Sequence, residues 1–351
     1  MNSDKVIFSY NLPYNQDCDY WVGIFIAPDN LMLKEALVKN NGEILSDDLI
    51  LLYLGKNWNV GWQAATEIIL RYDPKKYSQA GLVASGTKPS LQELGFARKS
   101  IDAIDKIAAS VWLGDALLAD KIICYMQPVI DKNGKVFGYE AFARMESESG
   151  LIGGWQIIEA SRNLNAEYML DRYLHQKAIK SFIDSDLQGV LFINLILGFI
   201  QRPEKYFEGL TEAAKFYGMN SKNIVLDFTN SEMPHDANQV KAIFDYARIH
   251  GYSVSLDDIS SPEVAKRILG SVNPDFIKLD IKPVRDILAG DNQAIVAEIC
   301  QIAHNIGANV LAEGVETDAV HEQLLKLGVD LFQGYLFSPP VAIEKLKKAV
   351  G

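Results

Sequence analysis

The chain has 351 residues, 48% apolar and 23% charged, with a formal charge of −11. That length and balance suit a globular chain of two domains, or one large barrel with an appendage. The negative charge excludes the electrostatic footprint of a nucleic-acid-binding surface, so a small anionic ligand would need local help from cations or an Arg.

The opening "MNSDKVIFSYNLPYN" has no basic leader ahead of a long apolar core, and no apolar run reaches the roughly 18–20 residues of a membrane span. Cys18, Cys124 and Cys300 lack ligand spacing and read as reduced thiols. The expectation is a cytoplasmic protein. In chain order, "YWVGIFIAP" predicts a strand, "DDLILLYLG" fits either a strand or a helix, and "WQAATEIILRY" predicts a helix. "LVASG" then predicts a strand and "SLQELGFARKSIDAIDKIAASV" a long helix. Residues 1–115 thus read as a small mixed α/β domain with a linker helix, regulatory or sensory in role. "GTKPS" at Gly86 is too short to count as a phosphate loop.

From about Lys121 the pattern becomes regular. "IICYMQPVI", "VFGYEAFAR", "VLFINLIL", "IVLDFT", "YSVSLDDI", "DFIKLDI", "ANVLAEGV" and "LFQGYLFSP" are strand candidates. Amphipathic helical patterns lie between most of them. Four of these close on Gly218, Gly251, Gly307 and Gly328, where a helix C-terminus favours a left-handed residue. Near-continuous apolar strands alternating with helices predict a parallel sheet covered by helices. Eight of them over roughly 230 residues fit a closed, TIM-like β/α barrel, here residues 116–351. The exception is Asn133-Gly134 between the first two strands, a hairpin signal that requires an antiparallel first strand.

Barrel enzymes carry their chemistry at the C-terminal strand ends. Those ends hold Glu140, Asn194, Asp227, Asp257 with Asp258, Lys278, Glu313 with Glu316, and Gln333. Each alone is an ordinary rim residue. Together they form a set of hard oxygen donors with one Lys, the composition of a Mg²⁺ or Mn²⁺ site rather than a zinc site. The five histidines fall on helical or loop patterns and read as surface or packing residues. Asp257-Asp258, at the last residues of a strand, could serve two cations at once, and such a pair can activate water against a phosphodiester.

The ordered motifs "YMQPVIDKNGKVFGYEAFAR", "LFINL", "VLDFTNSE", "VSLDDIS", "DFIKLD", "LAEGVET" and "FQGYLFSPP" resemble the successive signatures of the EAL family, over about Leu118 to Val350. The resemblance implies a β/α barrel with an antiparallel first strand and Mg²⁺- or Mn²⁺-dependent hydrolysis of cyclic di-GMP to pGpG. It implies that Glu140, Asn194, Asp227 and Asp257 bind one metal and that Asp257 and Asp258 serve the second. Lys278 would hold the attacking water, and Glu313 and Gln333 would complete the centre. Gln127, Arg144 and Glu316 would face the dinucleotide, Arg144 through its fixed fork of donors.

Five features depart from the family pattern. Phe142 stands for the signature Leu, and "NLILGF" lacks the family's Pro after the Asn strand. Asp227 and Asn230 replace two Glu residues, and "DDISSP" replaces a glycine-bearing turn whose backbone angles other residues adopt poorly. In the family that turn supports the second metal and a homodimer contact. The second metal position is therefore expected to be weak. The expectation is a cyclic di-GMP phosphodiesterase of impaired or conditional activity in bacterial signalling. The alternative is an inactive domain acting as a cyclic di-GMP receptor, or as a module for a protein partner.

Overall fold

The computed structural model describes residues 19–27, 29–56, 58–75, 77–85, 87–196, 200, 202–229, 237–269, 272–343 and 346. Cys18, Gly86 and Asn230 therefore lie outside the described residues. Contacts divide the rest into two compact units. One holds the residues up to Lys121 together with Trp155–Ala166; the other holds Ile122–Gly154 and the residues from Glu167 onward.

The first unit runs β1 (Tyr20–Phe25), α1 (Leu31–Lys39), β2 (Glu43–Ser46), β3 (Leu49–Gly55), α2 (Trp58–Tyr72) and β4 (Gln79–Ala84). It continues through α3 (Leu91–Phe96), β5 (Arg98–Ser100), α4 (Ile101–Ser110) and α5 (Trp112–Leu118). The sheet order β2-β3-β1-β4-β5 is antiparallel throughout. Alternate residues Tyr20, Val22 and Ile24 of β1 join Trp58, Trp62 and Ile104 in one core, as the two-residue period of a strand requires. "DDLILLYLG" resolves to strand: Ile50 and Leu52 enter this core, while Leu49 and Leu51 pack with Leu94 on the other face.

The single long helix expected over "SLQELGFARKSIDAIDKIAASV" is corrected. Ser90 begins α3 with a capping box to Glu93, and extended Ser100 caps α4 at Ala103, so two helix starts flank the short strand β5. Hydroxyl caps outweigh apolar periodicity there.

The second unit contains β6 (Ile122–Asp131), β7 (Val136–Ser147) and β8 (Gly150–Gly153). After α6 (Gly154–Asn163) and α7 (Glu167–Asp184) come β9 (Val190–Leu195), α8 (Pro203–Phe216), β10 (Ile224–Thr229) and α9 (Ala237–Ile249). Next are β11 (Ser253–Ile259), α10 (Pro262–Leu269), β12 (Phe276–Leu279), α11 (Ile281–Arg285) and α12 (Asp291–Asn305). The chain then forms β13 (Asn309–Ala312), α13 (Asp318–Lys326), β14 (Leu331–Phe332) and β15 (Val341–Ala342). Most of α6 belongs with the first unit, where Asn163 Nδ2 donates to Ser110 Oγ at 3.0 Å.

The order β6-β14-β13-β12-β11-β10-β9-β7 closes into a barrel through the β6–β7 pairing. All neighbours are parallel except β6, which is antiparallel to both β7 and β14. The Asn133-Gly134 turn imposes the reversal: Asp131 Oδ1 accepts from the amides of Asn133 and Lys135, and Gly134 takes φ 78°. The expected helix-closing glycines 218, 251, 307 and 328 all have positive φ.

One layer of the barrel interior is apolar: Val129, Phe192, Val225, Phe276, Leu311 and Leu331. Two residues further along each parallel strand, on the same face, stand Asn194, Asp227, Lys278, Glu313 and Gln333. On reversed β6 the equivalent step runs backwards, from Val129 to Gln127. Strand periodicity plus one reversed strand thus stacks a polar layer directly on a dry one.

Candidate active site

Lys278 is at the centre of that polar layer, fully buried at 0% exposure. Its Nζ lies 2.6 Å from Asp227 Oδ2, 2.5 Å from Glu313 Oε1, 3.2 Å from Glu140 Oε2 and 3.5 Å from Asp257 Oδ2. Residues from five strands or strand ends meet at one ammonium. Burial works against its charge, but the surrounding carboxylates outweigh burial and hold its pKa well above the ordinary lysine value. A single ammonium cannot neutralise all four partners. Burial, with the neighbouring Asp257 and Glu140 charges, accordingly pushes Asp227 up to about 7 despite its bond to Lys278. Burial likewise raises Glu313 well above the usual carboxylate range, although its side chain keeps a quarter of its exposure at the rim.

Other expected residues join this cluster. Asn194, exposed at the end of β9, donates from Nδ2 to Glu140 Oε1 at 3.0 Å. Gln127 is the antiparallel register partner of Glu140 and donates from Nε2 to the Ser338 carbonyl at 3.0 Å. Gln333 is buried one residue beyond β14, as Glu313 lies one residue beyond its neighbour β13. Gly334 lets the chain pass close to Val315 there, since a Cβ would lie 2.1 Å from the Val315 carbonyl oxygen.

Asp257 and Asp258 fall at a register shift in β11, between Leu256 and Ile259. Asp258 adopts φ 61°, and its amide donates to Asp257 Oδ1 at 2.7 Å. The bulge releases the pair from the strict in–out alternation of a strand, then returns Ile259 to the core. Ser261 follows at once as the start of α10, its hydroxyl accepting from the Val264 amide at 3.3 Å and Pro262 occupying the first turn.

Arg144 and Glu316 stand apart from the carboxylate cluster. Arg144 donates from Nη1 to the Ala143 carbonyl and lies 5.5 Å from the Phe142 ring centre and 5.8 Å from that of Tyr125. The departure at Phe142 thus supplies an aromatic face to this guanidinium. Glu316 is exposed and pairs with Arg285 at 3.7 Å.

Cation fit is testable on these atoms. Asp227 Oδ1 is buried and, among the described residues, has no hydrogen-bond partner; the same holds for Ser255 Oγ and Gln333 Nε2. An orphaned carboxylate oxygen in an over-acidic layer rich in oxygen ligands fits a hard divalent cation. Among the described residues no three His, Cys, Asp or Glu side chains are already gathered at ligand spacing around a point, and the Lys278 ammonium stands where the carboxylates converge.

Three residues that sequence reasoning assigned only to packing, or passed over, bear on the site: Asp171, His175 and Tyr206, all buried beneath the end of β9. The only signal was an acid and a His one turn apart within an apolar helical face. A cleft between α7 and α8, lined by Tyr168, Arg172, His175, Gln176 and Tyr206, opens on the barrel flank and contains none of the clustered carboxylates. Cys124 and Cys300 are free and buried, which pushes both thiols up to about 12.

The EAL domain model matches residues 110–340. The chain belongs to the EAL family. This EAL chain is 28% identical over 233 residues to the cyclic di-GMP phosphodiesterase PdeL of Escherichia coli, covering 63% of each protein. It is 24% identical over 257 residues to the probable cyclic di-GMP phosphodiesterase PdeI of the same organism, covering 70% of this chain but 33% of that protein. Among solved structures it resembles a standalone EAL protein from Vibrio cholerae O395 in its c-di-GMP-bound form. There the identity is 30% and the TM-score 0.58, over 63% of this chain and 93% of that one. The chain therefore spans from about a third to under two thirds of these curated relatives. No helix among the described residues is long and apolar enough to cross a membrane.

Proposed function

We propose that this EAL chain binds cyclic di-GMP at the barrel rim and hydrolyses it slowly to pGpG. The supporting observation is the convergence of Glu140, Asp227, Asp257 and Glu313 on buried Lys278, which leaves more negative charge than one ammonium can compensate. Glu140, Asn194, Asp227 and Asp257 would hold one Mg²⁺ or Mn²⁺, and Asp257 with Asp258 a second. When bound, divalent cations polarise the phosphodiester and lower the pKa of water. The chain's own groups orient the reaction. Lys278 Nζ would hold the attacking water, while Glu313 and Gln333 would fix its hydrogen bonds. Water adds across one phosphodiester, its oxygen joining phosphorus and a proton passing to the departing 3′ oxygen. Gln127, Arg144 and Glu316 bind the dinucleotide. The first unit is a regulatory domain that contributes no group to this chemistry, and the protein works in the cytoplasm.

Slow turnover follows from weakened support around both cations. Asp227 is one methylene shorter than Glu, and after Asp258 the chain enters α10 through Ser260, Ser261 and Pro262 with no glycine. Weak support around metal ligands costs about 10–100-fold in affinity or activity. The same loop favours the second reading, a receptor that binds without turnover.

A mass-resolved assay for pGpG, with Mg²⁺ and Mn²⁺ supplied separately, tests the reading. Slow product formation, faster in Mn²⁺, is expected. Glu at positions 227 and 230, with a glycine-bearing turn grafted after Asp258, should raise the rate at least about tenfold. Ligand binding without product in either metal, before and after that repair, would establish the receptor instead. Calorimetry should show micromolar or tighter binding of cyclic di-GMP. Arg144→Ala should weaken it by about 1.5–3 kcal/mol, the loss of a charged hydrogen bond. No heat from the unmodified chain would overturn both readings.

A further inference from the structure

Behind the rim end of β9 lies a buried polar group that the proposed chemistry does not use. Asp171 and His175 stand one turn apart on α7, 1% and 2% exposed, and Tyr206 on α8 is 7% exposed. Tyr206 OH donates to Asp171 Oδ2 at 2.5 Å, and His175 Nδ1 lies 3.4 Å from both that oxygen and the Tyr206 hydroxyl. The group reaches β9 twice. His175 Nε2 lies 3.2 Å from the Asn194 carbonyl, and the Ile196 amide donates to Asp171 Oδ1 at 3.1 Å. A carbonyl only accepts, so Nε2 must carry the proton of that bond. The peptide groups on both sides of Leu195 are thus tied to one helix turn.

Burying an acid, an imidazole and a phenol in an otherwise apolar layer is costly unless each finds partners. Here the partners include main-chain atoms at the strand end that carries Asn194, whose side-chain amide is bonded to Glu140. Main-chain groups at a parallel strand's end have no ladder partner beyond the last pair, which is Leu195 with Phe228. They need anchoring from elsewhere.

We infer that Asp171, His175 and Tyr206 form a clamp that fixes the end of β9 and so sets the position of Asn194 beside Glu140. They are positioning residues, acting through Asn194, and touch no substrate. The inference rests on the proposed function for its consequence, a preformed cation site, but not for the clamp itself.

The test uses the full chain, variants of the clamp and two readouts. Site-resolved amide exchange without metal reads the clamp. His175→Phe should speed exchange at Ile196 by about tenfold or more while leaving Leu191, at the start of β9, unchanged. Mn²⁺ titration by calorimetry reads its consequence: His175→Phe should weaken uptake by about 10–100-fold, and His175→Gln, which keeps a donor for the carbonyl, should restore most of it. Tyr252→Phe, which removes a hydroxyl bonded to Thr211 rather than to β9, should change neither readout. Should His175→Phe not fold, Tyr206→Phe carries both measurements with a smaller change of shape. Unchanged Ile196 exchange in the folded variants would overturn the clamp. Faster exchange with undiminished Mn²⁺ uptake would overturn its role in positioning Asn194. If the unmodified chain takes up no Mn²⁺, the proposed function fails, and the clamp is decided by exchange alone.

Discussion

Lys278→Ala should destabilise the metal-free chain by about 3–5 kcal/mol near neutral pH, the usual result of removing one partner from a buried ion cluster. The ammonium is the one cationic group within 4 Å of Glu140, Asp227, Asp257 and Glu313 among the described residues, and without it these carboxylates repel one another, with Glu140 and Asp227 fully buried. Protonation would relieve part of that repulsion, so the penalty should shrink toward pH 5. Mn²⁺ should also relieve it, because a divalent cation supplies the missing charge. Equilibrium urea unfolding at pH 5 and pH 8, with and without Mn²⁺, measures all four cases. Turnover should fall at least about a hundredfold even where Mn²⁺ restores stability, since charge compensation does not replace the water-holding ammonium proposed above. A variant as stable as the unmodified chain at pH 8 would mean that the cluster is already protonated or hydrated, and that Lys278 contributes little to it.

Much of the barrel and its layer of polar residues was readable in the amino-acid order because both follow strand periodicity. The strand candidates from "IICYMQPVI" to "LFQGYLFSP" became β6, β7 and β9 through β14, and Asn133-Gly134 correctly required the reversed β6. The polar residues then fell into one layer because each lies two positions from an apolar core residue. What escaped depends on distances between segments far apart in sequence. That Lys278 would be enclosed by Glu140, 138 positions earlier, follows only from barrel closure. Asp171 and Tyr206 look like ordinary members of amphipathic helices until packing brings them together. The break between α3 and α4 was hidden because "FARKS" keeps a helical composition, and only the capping of Ser100 and the pairing of β5 disclose it. The return of α6 to the first unit was equally hidden, since "GWQIIEASRN" sits in the middle of barrel sequence. A truncation beginning near Ser110 would therefore separate Trp155–Ala166 from most of the unit they belong to, and the barrel is better tested in the full chain.

The same excess of acid predicts the opposite sign for a neighbouring change. Asp227→Asn should stabilise the metal-free chain at pH 8 and weaken its Mn²⁺ uptake. Asp227 is 0% exposed, and burial raises its pKa to about 7, against roughly 3.9 for an unfolded aspartate. Between those values the folded chain holds a proton that the unfolded chain has released. Stability from this group is thus fully present below about pH 4, declines as pH rises, and is lost above about pH 7. An Asn is neutral throughout and shows no such decline. The variant's advantage should therefore be small at pH 4.5 and grow to about 1–4 kcal/mol at pH 8, within the span a shift of this size allows. Retention of the Lys278 interactions with Glu313, Glu140 and Asp257 keeps the ammonium paired in the variant, so no buried cation is left exposed to the lost charge. Saturating Mn²⁺ should offset most or all of that advantage, because metal at about a hundred times its dissociation constant adds about 2.7 kcal/mol to the unmodified chain. The variant gives up the orphaned Asp227 Oδ1 that would take the ion. If Asp227→Asn is the less stable protein at pH 8 without metal, Asp227 acts mainly as the counter-ion of Lys278, and the carboxylate layer is not over-acidic.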